Sequence, residues 1–92
     1  MTETINFLAI DLGASSGRAL VGRWDGEHIS LEKLHRFPNE PVIIQGHQHW
    51  DVLRLWKEIK TAIGCYARQY ENALSGIGAD TWGVDFALLD AK

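Results

Sequence analysis

Ile5-Asn6-Phe7-Leu8-Ala9-Ile10-Asp11 runs into Leu12-Gly13-Ala14-Ser15-Ser16-Gly17, and Arg18-Ala19-Leu20-Val21-Gly22-Arg23-Trp24 follows. The first seven residues are apolar and β-rich, so they read as a buried strand that ends on a carboxylate. The Gly/Ser turn at 12–17 sends the chain back along 18–24, which makes a second, antiparallel strand. Asp25-Gly26 is the strongest hairpin signal in the chain. Beyond it, residues 28–37 alternate with Ile29, Leu31, Leu34 and Phe37 as the apolar set, and the phase slips once, at Leu34. A three-stranded meander over 5–37 is the simplest reading.

Pro38 and Pro41 break the alternation, so 38–49 is expected to be loop, with Val42-Ile43-Ile44 a short extended piece. Asp51 has the character of a helix N-cap. After it Val52, Leu55, Trp56, Ile59, Ile63, Tyr66, Ala67 and Tyr70 recur at spacings of three and four, which predicts a helix over 52–72. A fourth strand is expected at 74–79 and a fifth at 85–89, around Asp80-Thr81-Trp82-Gly83-Val84. A right-handed crossover through the helix would set the fourth strand parallel to the first and beside it. The resulting β-β-β-α-β-β order is that of an α/β, ribonuclease-H-like mixed sheet, the layout shared by actin, sugar-kinase and Hsp70 ATPases. Fold alone does not assign function.

The chain has 92 residues, enough for one domain at most. It ends at Lys92, three residues after the apolar run Phe86-Ala87-Leu88-Leu89, a strand that needs neighbours. Residues 1–92 are therefore expected to be an incomplete N-terminal subdomain of a longer polypeptide. Nine Lys and Arg against twelve Asp and Glu give a net charge of -3, which offers no broad attraction to nucleic acid or an anionic membrane. One cysteine, Cys65, makes no internal disulfide, and the N-terminus lacks the pattern of a secretory signal. No apolar run approaches the roughly 20 residues that cross a bilayer. A cytoplasmic protein is expected.

Asp11 at the end of a buried strand needs a cationic or hydrogen-bonding partner. The glycines and serines of the turn bring backbone N–H groups and hydroxyls close to an anion, and Arg18 adds a positive charge. A carboxylate for hydrated magnesium, donors for phosphate oxygens and one cation are the parts that phosphoryl transfer requires. An ordinary hairpin, with Asp11 capping its turn and Arg18 in a surface ion pair, fits the same residues. There is no P-loop motif, and Gly76-Ile77-Gly78 lacks the third glycine of a dinucleotide fingerprint. In the second constellation, 80–86, Trp82 is suited to stacking on a sugar face, Asp80 or Asp85 to accepting sugar hydroxyls, and Gly83 to close backbone approach. A tight turn with Trp82 in the core is the alternative. His47 and His49 make two metal-ligand candidates without a third, and Trp50 and Trp56 read as core anchors.

Together these segments resemble the FGGY family of carbohydrate kinases. Asp11, Gly13, Ser15 and Arg18 fit the phosphate motif D-x-G-x-(S/T)-x-x-R, and Leu34-His35-Arg36-Phe37, Trp50-Asp51-Val52 and Ile77-Gly78-Ala79-Asp80-Thr81-Trp82-Gly83-Val84-Asp85-Phe86 extend the likeness along the chain. The resemblance implies ATP and Mg2+ as cofactors and a small sugar as substrate. It implies that Ala14, Ser15, Ser16, Gly17 and Arg18 contact the nucleotide phosphates, that Asp11 holds magnesium through water, and that Trp82, Gly83 and Val84 line the sugar pocket. The family's catalytic base lies beyond Lys92, so no general base is assigned here and the segment alone is expected to be inactive. Two other classes remain in view. One is a nuclease using Asp11, Asp80 and Asp85 as a two-metal cluster; the other is a module that binds ATP without turning it over.

Overall fold

A computed structural model describes residues 4–91; residues 1–3 and 92 of the expected unit 1–92 lie outside the described residues. Its elements are β1 (Ile5–Leu12), β2 (Ser16–Trp24), β3 (Ile29–Pro38), β4 (Val42–Ile44), β5 (His47–His49), α1 (Val52–Gln69) and β6 (Leu74–Thr81). The main sheet has the order β3-β2-β1-β6. β1 pairs antiparallel with β2 and parallel with β6, so the expected crossover placement is found. The mixed α/β sheet of four strands and one helix agrees with the expected class.

Along β1 the even positions point inward, where Leu8 and Ile10 pack with Ala19 and Val21 of β2 and with Ala62 and Tyr66 of α1. The slip at Leu34 is a β-bulge. Ala19 pairs with His35 and Leu20 with Lys33, so Leu34 is the unmatched residue and packs against the core. The odd side of β1 faces away from the helix and leaves Ile5 and Phe7 exposed, beside exposed Ile29 and Leu31 of β3.

Two buried polar residues fix the helix on this sheet. Asn6 is only 1% exposed. Its side-chain amide donates to the Tyr66 hydroxyl at 3.1 Å, and that hydroxyl donates to the Asn72 carbonyl at 2.7 Å. The Tyr70 ring stacks on Tyr66 with centroids 4.8 Å apart, and its hydroxyl donates to Glu32 of β3.

The structure corrects the expectations in several places. The helix ends at Gln69 rather than 72, because Tyr70 adopts extended backbone as it reaches Glu32 and Asn72 is held by Tyr66. The region 38–49 holds a short β4–β5 hairpin, turned by Gln45 and Gly46 at positive φ. Residues 85–89 form no strand: their apolar side chains stand exposed, with no adjacent strand among the described residues to pair with. The observed order is therefore not β-β-β-α-β-β. Trp56 is no core anchor but 55% exposed, with the Lys60 ammonium 5.7 Å from its ring centre. The apolar face of the helix is broader than its contact with the sheet: Leu55, Ala62 and Tyr66 are buried, while Val52, Trp56 and Ile63 stand exposed along its margin.

Replacing Tyr66 with Phe strands the buried Asn6 amide and leaves the carbonyl of exposed Asn72 to water. The change should cost about 1–3 kcal/mol, read as a lower urea midpoint at unchanged m-value in the full-length protein.

Candidate functional site: a hairpin turn and an acidic pair at the strand ends

The turn between β1 and β2 is closed by the Gly13 N–H donating to the Ser16 carbonyl at 2.9 Å. Both of its glycines are demanded by sterics. A Cβ on Gly13 would lie 2.6 Å from the Ser16 carbonyl oxygen, and one on Gly17 would lie 2.2 Å from the Phe37 ring. Gly17 is buried in the ladder, Ser16 and Arg18 are half-buried, and Ala14 and Ser15 form the exposed tip. Among the described residues the backbone N–H groups of Ala14 and Ser15 donate to no protein acceptor, which leaves them free for an oxyanion. Asn39 clamps the turn from behind. Its amide side chain donates to the Gly13 carbonyl at 2.9 Å, and its N–H to the Ser15 carbonyl at 3.0 Å.

Strand register then gathers three charged side chains. Asp11 stands opposite Arg18 on β2 and beside Asp80 on β6. Arg18 Nε lies 3.5 Å from Asp11 Oδ2, and both side chains are nearly half-exposed. Arg18 is thus the ion-pair partner of Asp11, as the plainer reading of the hairpin expects. The Asp80 carboxyl is held above the usual carboxylate range by its hydrogen bond to Asp11, reinforced by the Asp11 charge. A shallow depression of about 380 Å³, lined by Ala9, Asp11, Leu20, Gly78 and Asp80 among others, opens beside the pair. Two adjacent carboxylates served by a single guanidinium leave room for a further cation. Mg2+ suits such a place, because it keeps most of its waters and takes one or two carboxylates together with phosphate oxygens.

Past β6 the chain turns through Trp82-Gly83-Val84. The Trp82 ring packs on Trp50, with centroids 4.6 Å apart at 45°, and its indole N–H donates to Asp85 Oδ2 at 3.1 Å. Trp82 is therefore half-buried, its ring against Trp50 and its nitrogen bonded to Asp85. Gly83 has no steric reason to be glycine: a Cβ there meets nothing within 4 Å, and its φ is not positive. Val84 is fully exposed at φ 61°. A cleft of about 300 Å³ lies between this turn and the start of α1, lined by Trp50, Val52, Leu55, Thr81, Trp82 and Asp85 among others.

With this geometry in place, comparison with known proteins is informative. A rhamnulokinase of Bacteroides thetaiotaomicron is 43% identical over 84 residues, covering 91% of this chain and 17% of that protein. The chain is a relative of rhamnulokinases. The rhamnulokinase of Mannheimia succiniciproducens is 45% identical over 91 residues, 94% of this chain and 18% of its own. That of Oceanobacillus iheyensis is 40% identical over 83 residues, 90% and 17%. The chain thus spans about a sixth of the length of the curated rhamnulokinases it matches. No protein-family model matches it.

Asp85 faces the Trp82 indole, and among the described residues no three His, Cys, Asp or Glu side chains gather as a metal cluster. The Asp11–Asp80–Asp85 cluster of a nuclease is not assembled. His47 and His49 sit exposed on β5. Cys65 is half-buried, with the Arg68 guanidinium donating to its sulfur at 3.4 Å. Sequence reasoning missed Asn39, whose only local signal is a polar residue between two prolines, and the pairing of Trp50 with Trp82, which has none. Asn39→Ala leaves the Gly13 carbonyl without its partner. It should cost about 1–3 kcal/mol and speed amide exchange at residues 13–16, with exchange in α1 unchanged.

Proposed function

We propose that the full-length protein transfers the γ-phosphoryl group of ATP to the 1-hydroxyl of L-rhamnulose, giving L-rhamnulose 1-phosphate and ADP, as a cytoplasmic step in L-rhamnose breakdown. The observation that carries this reading is 43% identity to a named rhamnulokinase along nearly the whole chain. The strand order β3-β2-β1-β6 supports a ribonuclease-H-like frame, with ligands bound outside the carboxyl ends of parallel strands. β1 and β6 bring Asp11 and Asp80 together at that end.

In this reading Ala14 and Ser15 offer N–H groups to the phosphates at the exposed tip, and Ser16, Gly17 and Arg18 complete the cradle. Asp11, with Asp80 beside it, would hold hydrated Mg2+, which neutralises phosphate charge when bound. Arg18 then does two things: it holds the Asp11 carboxylate in place and keeps positive charge near the incoming nucleotide. Trp82, Gly83 and Val84 line the ketose pocket. An uncharged turn with an open backbone suits a deoxysugar bearing a methyl group, which is read by shape and main-chain hydrogen bonds. No helix among the described residues is long and apolar enough to cross a membrane, in keeping with a soluble enzyme.

The deciding assay is ATP-dependent phosphorylation by the full-length protein of L-rhamnulose, L-fuculose and D-xylulose side by side. L-Rhamnulose should have the highest kcat/KM, and preference for either other ketose would replace the substrate proposed here. Asp11→Asn should lower turnover about 10–100-fold, as expected for a group that acts on the metal through water. Gly83→Arg should raise the KM for L-rhamnulose, and an unchanged value would remove Gly83 from the pocket.

A further inference from the structure

The turn at Trp82-Gly83-Val84 has little protein around it. Thr81, Gly83, Val84 and residues 85–91 are exposed. Val84 is a β-branched residue in the left-handed region, a conformation that costs energy and persists only when the surroundings impose it. Gly83 itself contributes no side-chain contact. The ring of Trp82 is the half-buried member of this run, and its packing surface is Trp50, which lies 32 positions earlier in the chain.

Trp50 is itself fixed at the entry to α1. The Val52 N–H donates to the Trp50 carbonyl at 3.1 Å. The next residue, Asp51, caps the helix by accepting from the Arg54 N–H at 3.2 Å. β5 ends at His49, immediately before it. On the far side of Trp82, Asp85 closes the turn: one carboxylate oxygen accepts the indole N–H, and the other accepts the Phe86 N–H at 2.9 Å. Trp82 is gripped on its ring by Trp50 and on its nitrogen by Asp85, and Gly83-Val84 is the arc between those grips.

We propose that Trp50 is a positioning residue for the ketose pocket, clamping Trp82 so that the Gly83-Val84 backbone is presented in one fixed arrangement. This rests on the ketose-kinase reading above and extends it to a residue that lies on a different element from the turn. Trp50 acts through Trp82, and its ring is what matters. An aromatic replacement preserves the contact area and an aliphatic one does not. Misplacement of a substrate-binding turn by an ångström or so is enough to cost on the order of 100-fold.

The test uses the full-length protein and three variants, Trp50→Phe, Trp50→Leu and Trp50→Ala. Trp50→Ala should raise the KM for L-rhamnulose on the order of tenfold or more and leave the KM for ATP unchanged, while Trp50→Phe recovers most of the loss. Trp50→Leu, which keeps bulk without the ring, stands in if the alanine variant does not fold, and it should show the same selective defect. An unchanged ketose KM, or equal losses for ketose and ATP, overturns the proposal. Amide exchange provides an arm independent of activity: residues 82–86 should exchange faster in Trp50→Ala than in Trp50→Phe, with residues 11–18 unaffected. If the parent protein phosphorylates no ketose, the kinase reading falls, and the exchange comparison alone then upholds or overturns the clamp.

Discussion

The Tyr66 hydroxyl is the joint on which this arrangement turns. It accepts from Asn6 in the central strand and donates to Asn72 in the connection to β6. One oxygen thereby links three segments, and the first two are 60 residues apart in the chain. The apolar contacts of Leu8, Ile10, Val21 and Ala62 hold α1 against the sheet but are tolerant of sliding. A buried hydrogen-bonded polar pair is not, because any shift leaves both groups unsatisfied in a medium that cannot replace water. Fixing Asn72 also fixes where β6 begins. The register that puts Asp80 beside Asp11 follows from there, so the candidate site inherits its geometry from a bond on the other face of the sheet.

Much of the fold was legible because its signals are local. The strand–turn–strand at 5–24 declares itself by composition, the helix start by Asp51, and the β3 bulge by a slip in alternation at Leu34. Features that depend on distant partners were not legible. The run 85–89 looks like a strand on composition alone, but strand formation needs a neighbour to pair with, and none is adjacent among the described residues. Trp56 shares the periodicity of the true core residues, since periodicity cannot say how much of a broad apolar face the sheet covers. The helix stops early because Tyr70 has a partner on β3, a fact invisible from the helix itself.

The same division runs through the site. Asp11, the turn and Arg18 are contiguous and were readable as a unit. The nearness of Asp80 required only the parallel pairing of β6 with β1, which chain order predicts. Asn39 and Trp50 were opaque, because each acts across a gap in sequence on a segment it does not resemble. Their roles are supportive: one holds the turn between β1 and β2, the other the turn past β6. Sequence patterns thus name the groups that meet ligands more readily than the groups that hold them still.

The three glycines Gly13, Gly17 and Gly83 carry different information. At 13 an added methyl group collides with the backbone at Ser16 and at 17 with the Phe37 ring, so both glycines answer to the packing of the hairpin itself. At 83 nothing within the protein objects to a side chain. In the proposed sugar pocket, loss of Gly83 in a related sequence would mark a change of substrate, while loss of Gly17 would mark only a rebuilt neighbour at Phe37. Under that proposal the sterically idle glycine is the one that sorts relatives by substrate.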